Sequence, residues 1–238
     1  MSEHAADMSV TGSGSGAFRS CTTGGVRRLR EPIFKRPFDF LLSGVGLILS
    51  FPIWICIAVS IWLEDERPFF FRQLRIGRNG NTFRALKFRS MIRDPSTVEV
   101  QAQKNDPRIT RVGRILRKTA LDELPQIWNI FVGDMSFVGP RSQPEKELVR
   151  VGGVEVELDI REVPGFELRQ KLRPGLTGIA QIYAPRGVPH RYKFKYDLIY
   201  VRRVMRCAGL WDDVRMFLYD LALISRSVWL TLRGRWEV

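Results

Sequence analysis

A stretch of 24 residues without a charged side chain, Phe40–Leu63, restricts the possible folds of this chain more than any other feature. As a helix it would extend about 36 Å, compared with about 30 Å for the hydrocarbon core of a bilayer. The stretch is apolar on every face and too long for a strand, so a buried core helix is a poor alternative. We therefore expect a membrane helix.

This apolar run has a proline at its centre and basic residues on both sides. Pro52 removes a backbone donor and bends the helix, and Ser50 is placed to satisfy a carbonyl that the bend releases. Lysines and arginines precede the run between residues 27 and 36 and follow it between 67 and 78. Positive residues favour the cytoplasmic side, so a re-entrant helix that returns to the same face suits both clusters. A proline-kinked spanning helix is the alternative.

The charge balance indicates anionic partners. Lysine and arginine number 38 against 25 acidic residues, a formal net charge of +13, which suits nucleic acid, anionic lipid or phosphorylated substrates. The three cysteines are far apart and form no Cys-x-x-Cys pair, so neither a disulfide framework nor a zinc site is indicated. We find no nucleic-acid-binding motif in the sequence and expect no nucleic-acid partner.

We divide the chain into three parts. Residues 1–25 are rich in serine, glycine and alanine, and we expect them to be disordered and not to form a secretory signal. Residues 26–66 contain the basic flank and the membrane helix. Residues 67–238 form the third part, which we expect to be a cytosolic domain and in which no second long apolar stretch occurs. The basic amphipathic stretches in this part are typical of helices that lie on a membrane surface.

A β-hairpin is expected directly after the membrane helix. Asn79 and Gly80 form a strong turn signal, because both turn positions require positive φ. In the second strand, Lys87 and Arg89 flank Phe88 and therefore point away from its face. Two cations on one strand face suit a phosphate, and a solvated strand face explains them equally well.

Two adjacent acidic residues, Asp122 and Glu123, lie in the strongly basic context. Asp122 is a candidate N-cap of a helix that has Pro125 in its first turn, with Glu123 favourable for the helix dipole. However, a helix N-terminus is also an anion site. Two carboxylates there can hold Mg²⁺ against a phosphate, or one of them can attack the phosphorus.

Several long motifs occur in a fixed order: KRPFD, FRQLRIGRNGNTFRALKFRSM, DPRITRVGRILRKTALDELPQIWNIFVGDMSFVGPRS and LRPGLTGIAQI. From about Lys35 onward the chain resembles the bacterial sugar transferase family, the monotopic phosphoglycosyl transferases, in its short exopolysaccharide-initiating form. The resemblance implies a mostly helical α+β fold. It also implies a monotopic membrane protein with a proline-broken re-entrant helix, a small β-hairpin and amphipathic interfacial helices.

The resemblance also implies an activity, the transfer of a sugar-1-phosphate from a UDP-sugar to polyprenyl (undecaprenyl) phosphate with release of UMP. Asp122 would be the nucleophile, and Glu123 would position or deprotonate the acceptor. Both carboxylates would bind Mg²⁺. Four basic residues match family positions near the phosphates and the nucleotide: Lys87, Arg89, Arg117 and Arg141.

The expected location is the bacterial inner membrane with a cytosolic catalytic domain, and the resemblance points to a homodimer. The chain departs from the family pattern where Phe51 separates Ser50 from Pro52, and where Ser142 follows Arg141 in place of a frequent proline. The sequence leaves glucose, galactose and N-acetylated sugars open. The rival interpretations are a membrane-anchored nucleic-acid-binding protein and a non-catalytic scaffold, and neither requires the acidic pair.

Overall fold

The computed structural model describes residues 30–92, 106–151, 154–185 and 190–233. The segment 1–25, for which we expect disorder, lies outside them. The described part is a mostly helical α+β fold, as predicted. Its helices are α1 Lys35–Asp65, α2 Arg111–Lys118, α3 Gln126–Val132, α4 Phe166–Arg169, α5 Ile179–Tyr183, α6 His190–Met205 and α7 Leu210–Leu232. Its strands are β1 Phe70–Ile76, β2 Thr82–Phe88, β3 Ser136–Val138, β4 Lys146–Val151, β5 Val154–Asp159 and β6 Gly175–Thr177.

Helix α1 contains the predicted apolar run. Among the described residues it is the one helix long and apolar enough to cross a membrane. Pro52 lies inside this helix. The Ser50 hydroxyl is 3.5 Å from the carbonyl of Leu47, whereas the carbonyl that Pro52 releases from the i−4 bond belongs to Ile48. The prediction that Ser50 satisfies the carbonyl released by Pro52 is therefore wrong, because its hydroxyl is directed to the carbonyl of Leu47.

Both ends of α1 are bound to the same folded domain. At its start, the Lys35 Nζ donates to Asp220 Oδ2 of α7 at 2.8 Å, and both side chains are buried. At its end, Arg89, which follows β2, pairs with Asp65 at 3.1 Å. A helix of 31 residues is about 46 Å long. Consequently α1 lies along the domain and does not project away from it.

One face of α1 packs on the domain and the opposite face is exposed. Phe40 stacks on Phe131 of α3 with ring centroids 4.8 Å apart. Near the other end a core cluster is formed by Ile57, Ile61, Phe88 and Leu116. The outward face carries large exposed apolar side chains, of which the most exposed are Leu41, Ile48, Leu49, Phe51 and Leu63. Water is a poor solvent for such a face, so a lipid environment explains it better.

The predicted hairpin is confirmed. Strands β1 and β2 pair antiparallel, from Phe70 opposite Phe88 to Ile76 opposite Thr82. Asn79 and Gly80 at the turn have φ values of 57° and 79°, as the sequence requires. One face of the hairpin contributes Ile76 and Phe88 to the core, and the cations of the other face are available to the site.

A short parallel pair, β3 with β6, joins two glycine-rich motifs. Ser136 pairs with Gly175, and Val138 pairs with Thr177. A Cβ on Gly175 would lie 2.1 Å from the backbone nitrogen of Gly139, so only glycine permits this approach. The strand β6 occupies the centre of the stretch 173–178.

Helices α6 and α7 cover the parallel pair. Their core consists of Val138, Leu172, Ile179, Tyr200, Val201, Val204, Met216 and Leu223. Within it, the Arg169 guanidinium donates to Asp197 at 2.7 Å, and both side chains are almost completely buried. This pair holds α4 against α6, directly behind the segment that carries Arg141.

Candidate active site

The acidic pair lies on a turn of its own before α3. Leu121–Glu123 form a single 3-10 turn, which follows Ala120 with a φ of 55°. Helix α3 begins at Gln126, and no side chain caps it. The prediction that Asp122 is the N-cap of this helix is therefore wrong. The side chain of Asp122 has no capping role that would account for it.

Glu123 is bound to a cation from the hairpin. Its Oε1 accepts a hydrogen bond from Lys87 Nζ of β2 at 2.5 Å. Burial alone would raise the pKa of Glu123, but the charges of Lys87, Arg141 and Arg75 outweigh it and bring the pKa to about 2. Glu123 is consequently ionised throughout the physiological range.

The neighbouring carboxyl group behaves in the opposite way. Burial raises the pKa of Asp122 to about 6, opposed by Lys87, reinforced by Glu123 and again opposed by Arg117. The two acidic residues therefore differ strongly in pKa although they are adjacent in sequence. Two titratable groups whose pKa values are driven apart by their environment are typical of a catalytic pair with separate roles.

Two of the predicted cations come from other elements. Arg141 follows β3, and its backbone nitrogen donates to the buried Asp197 at 3.3 Å. It also forms a parallel bridge with Gly175. Arg117, on α2, donates through Nε to Ser90 Oγ at 2.9 Å. Four separate segments thus bring Lys87, Arg117, Arg141 and the acidic pair into one electrostatic environment.

A small polar cleft opens beside Glu123. Its lining consists of Arg75, Lys87, Glu123, Gln126, Arg141, Ser142, Gly175, Leu176 and Gln181. Asp122 precedes Glu123 on the same turn. Three cations on the lining make the cleft a site for an anion such as a diphosphate, and the two glutamines and the serine add neutral hydrogen-bonding groups.

Sequence reasoning missed several of these lining residues as members of the site, notably Arg75, Gln126 and Gln181. A signal for Arg75 was available in the hairpin register. Lys87 is opposite Phe71, and Arg75 is four residues further along the same strand, so Arg75 and Lys87 share a face. The Arg75 Nη1 donates to the carbonyl of Ser142 at 2.6 Å, which fixes the guanidinium at the cleft. No comparable local signal identifies the glutamines.

The structure places Arg89, which was predicted to lie near the phosphates, away from the cleft. Arg89 is buried and donates to the carbonyls of Asp65 and Glu66, the latter at 3.0 Å, besides its ion pair with Asp65. It therefore binds the C-terminal end of α1 and is not among the residues that line the cleft. Ser50 and Pro52 belong to α1 and have no part in the cleft.

The two carboxylates supply the oxygen ligands that a magnesium site requires. Within the described ranges, no group of three or more histidine, cysteine, aspartate or glutamate side chains is arranged for a metal. Mg²⁺, however, is commonly bound by one or two carboxylates together with water and substrate phosphates. Asp122 and Glu123 supply such oxygens beside an anion cleft, so the residues present fit this ion.

The protein is a small α+β domain with an acidic pair at a cationic cleft, packed on a long apolar helix. This arrangement is suited to a membrane-associated protein that binds a phosphorylated ligand. Comparison with known families specifies the class. The model of the family "Bacterial sugar transferase" matches residues 30–227. The chain therefore belongs to the bacterial sugar transferase family.

Curated relatives agree with this assignment. The chain is 38% identical over 199 residues to a UDP-glucose:undecaprenyl-phosphate glucose-1-phosphate transferase of Escherichia coli K12, covering 81% of the chain and 39% of the relative. A UDP-N-acetylgalactosamine-undecaprenyl-phosphate N-acetylgalactosaminephosphotransferase of Aeromonas hydrophila is 38% identical. This match covers 78% of the chain and 43% of the relative. The chain thus spans about two fifths of the length of these relatives. The exopolysaccharide production protein PSS of Rhizobium leguminosarum is 41% identical. This match covers 71% of the chain and 86% of the relative.

Proposed function

We propose that this protein transfers a sugar-1-phosphate from a UDP-sugar to undecaprenyl phosphate and releases UMP. The observation that carries the proposal is the acidic pair, with pKa values of about 6 and about 2, on a turn beside a cleft lined by Arg75, Lys87 and Arg141. The names of the relatives provide the substrate classes, and the cleft has the charge that a diphosphate requires.

In the proposed first step, a carboxylate oxygen of Asp122 attacks the β-phosphorus of the UDP-sugar. A bond forms between this oxygen and the phosphorus, and the bond from the phosphorus to the bridging oxygen breaks, so that the electron pair leaves with UMP. In the second step, an oxygen of undecaprenyl phosphate attacks the same phosphorus and restores the Asp122 carboxylate. One phosphoanhydride is exchanged for another, and no ATP is required.

Each other residue of the site has a part in this scheme. Lys87 and Arg141 neutralise the diphosphate, and Arg117 favours the ionised form of Asp122 that attacks. Glu123 is already ionised and bound to Lys87, which suits it for holding a cation or the acceptor better than for removing a proton. Mg²⁺, held by Asp122 and Glu123, would neutralise the charge that develops on the diphosphate.

The packing of α1 supports a re-entrant anchor. A helix that crosses a bilayer places its ends on opposite sides, whereas Lys35 and Asp65 at the two ends of α1 are both bound to the one domain. We therefore place the domain on the cytosolic face of the bacterial inner membrane, with the outward face of α1 in lipid. Basic residues on both flanks of α1 agree with this orientation.

The relatives also indicate the process that the reaction serves. Proteins named for exopolysaccharide production occur among them in Rhizobium leguminosarum and Rhizobium meliloti. We propose that the transfer is the first membrane step of exopolysaccharide or another glycoconjugate synthesis, and that the protein acts as a homodimer. The relatives' names include both glucose and N-acetylgalactosamine, so an assay of the sugar has to contain donors of both kinds.

The test is a panel assay with purified protein in detergent. UDP-glucose, UDP-galactose, UDP-N-acetylglucosamine and UDP-N-acetylgalactosamine are each supplied with undecaprenyl phosphate and Mg²⁺, and UMP is measured. We expect UMP with at least one donor, together with an equal amount of undecaprenyl-diphosphate-sugar. If no donor releases UMP while the protein is folded, or if UDP is released in its place, the proposal is wrong.

A further inference from the structure

Gln181 of α5 lines the cleft, and its amide has one defined orientation. The Nε2 group donates to the carbonyl oxygen of Gly175 at 3.3 Å. The flipped amide would place the side-chain oxygen against that carbonyl, an arrangement of two acceptors. The Oε1 atom is therefore the one that is directed away from Gly175.

This oxygen lacks the partner that a buried acceptor normally has. Oε1 of Gln181 is buried and accepts no hydrogen bond from any described residue. Buried polar atoms in folded proteins are almost always hydrogen-bonded, and the exceptions call for an explanation. On the lining of a binding cleft, the simplest explanation is a donor group that arrives with the ligand.

The surroundings of Gln181 are also those of a ligand contact. A Cβ on Gly178 would lie 3.0 Å from Oε1, so the glycine avoids a tight contact with this atom. Gly175, which accepts the hydrogen bond from Gln181, is also the bridge partner of Arg141. Gly175 thus contacts both Gln181 and Arg141, and Arg141 is a cation that we assign to the diphosphate.

We infer that Gln181 is a specificity-determining residue, whose Oε1 accepts a hydrogen bond from an O–H or N–H group of the UDP-sugar. Two parts of the donor substrate carry such groups next to the diphosphate, the hydroxyls of the transferred sugar and the uridine. The inference rests on the proposed function, because it takes the UDP-sugar as the ligand of the cleft.

The test compares Gln181→Met with a matched control, Gln143→Met. Gln143 is fully buried and both of its amide atoms have no partner among the described residues, but it does not line the cleft. For Gln181→Met we expect the KM for the UDP-sugar to rise about tenfold, because the donor group of the substrate loses its acceptor. For Gln143→Met we expect an unchanged KM. Thermal unfolding of both variants establishes that they are folded.

Inhibition by UMP identifies the part of the substrate that is bound. If uridine donates, UMP inhibition of Gln181→Met weakens by the same factor as the KM rises. If the sugar donates, UMP inhibition is unchanged and the ratio of kcat/KM between UDP-glucose and UDP-galactose changes. The inference is overturned if KM, UMP inhibition and this ratio all equal those of the wild type, or if Gln143→Met gives the same changes.

Failure of the proposed function has a different signature. If the wild-type protein releases no UMP from any donor, the proposed reaction is wrong, and calorimetric titration with UDP-glucose and UMP still measures the contact. Equal affinities of the wild type and Gln181→Met in that titration would overturn the inference independently of any reaction.

Discussion

At the scale of single residues, Asp122 and Glu123 have nearly the same chemistry but different surroundings. Lys87 and Arg141 keep Glu123 ionised, whereas burial raises the pKa of Asp122 to about 6. Neither carboxylate caps α3. The usual structural reason for an acidic residue at this position is therefore absent from the described part of the chain, which favours a chemical role.

The first prediction concerns the nucleophile. Asp122→Asn preserves the size and polarity of the side chain but removes the attacking oxygen, so turnover should fall at least about a thousandfold. UMP release and thermal unfolding measure the two effects separately. Wild-type protein incubated with sugar-labelled donor and no acceptor should retain label on Asp122. A variant that is folded and still turns over near the wild-type rate would assign the attack to another group.

The second prediction concerns the metal. The carboxylates and the substrate phosphates are the evident ligands, so activity should disappear with excess chelator and return with Mg²⁺. Mn²⁺, which also prefers oxygen ligands, should restore it in part. The measurement is UMP release after chelation and repletion. Full activity in excess chelator would remove the metal from the scheme.

The third prediction separates two basic residues that the sequence groups together. Arg89 binds the end of α1, and Lys87 binds Glu123. Arg89→Met should lower the free energy of unfolding by about 2 kcal/mol, because helix carbonyls and Asp65 lose a charged donor. Once folded, it should keep the wild-type KM. Lys87→Met is the matched comparison and should raise KM for the UDP-sugar. A raised KM for folded Arg89→Met would return Arg89 to the phosphate site.

At the scale of elements, the site depends on close backbone contacts between segments that are distant in sequence. Helix α2, which carries Arg117, approaches the strand end at Ser90 so closely that a Cβ on Gly113 would lie 2.0 Å from the Ser90 carbonyl oxygen. The same kind of approach joins Gly139 to Gly175 and sets the position of Arg141.

The fourth prediction tests the approach of α2. Gly113→Ala should destabilise the protein by about 2 kcal/mol or more, because α2 has to move away from Ser90. Arg117 moves with it, so kcat should also fall in the folded fraction. Gly209→Ala is the control, since no atom lies within 4 Å of its added Cβ. If the two variants are equally stable and active, α2 does not require the close contact.

The hairpin and the long helices were predictable because their signals are local. Asn79-Gly80 fixes a turn, and an unbroken apolar run fixes α1. The parallel pairing of β3 with β6 has no such signal, because its two three-residue strands are separated by almost forty residues of chain. Helical spacing also does not separate the buried from the exposed apolar residues of α3. Ile127 is buried, but its neighbour Trp128 is 46% exposed, because α1 covers only part of the helix.

The residues of the candidate site were predictable for a different reason. Asp122, Glu123, Lys87, Arg117 and Arg141 occur in long motifs that resemble one family, and the structure brings these five together. Arg89 belongs to the same motif as Lys87, and its motif carries no information about which of the two faces the cleft. The direction of a side chain at a strand end depends on its tertiary partner, here the end of α1.

At the scale of the whole molecule, the anchor and the domain form one packed unit. The start of α1 is held by the buried pair of Lys35 with Asp220, to which the Tyr200 hydroxyl also donates at 2.9 Å. Breaking such a pair leaves a charge unpaired in the interior, which is strongly destabilising. The anchor is therefore part of the fold, and the position of the domain relative to the bilayer is fixed by it.

The fifth prediction concerns the topology of this unit. In a variant without the native cysteines, Ser2→Cys and Asn81→Cys test the two flanks of α1 separately. Asn81 is exposed and has an ordinary φ of −68°, so cysteine fits there. Both cysteines should resist a membrane-impermeant thiol reagent in intact cells and react after permeabilisation. Labelling of the Ser2→Cys protein alone in intact cells would indicate a helix that spans the membrane.

The contact of Arg89 with the end of α1 has a geometric consequence for the reaction. Lys87, which binds Glu123, and Arg89, which binds Asp65, are two positions apart, or about 7 Å along an extended chain. The helix end and the acidic pair are thus kept at a fixed separation by a rigid spacer. The depth of α1 in the lipid therefore determines how far the two carboxylates lie from the acyl chains, because the spacer keeps the distance between them constant. In the proposed reaction, an acceptor whose phosphate lies in the headgroup layer would then meet Asp122 without leaving the bilayer.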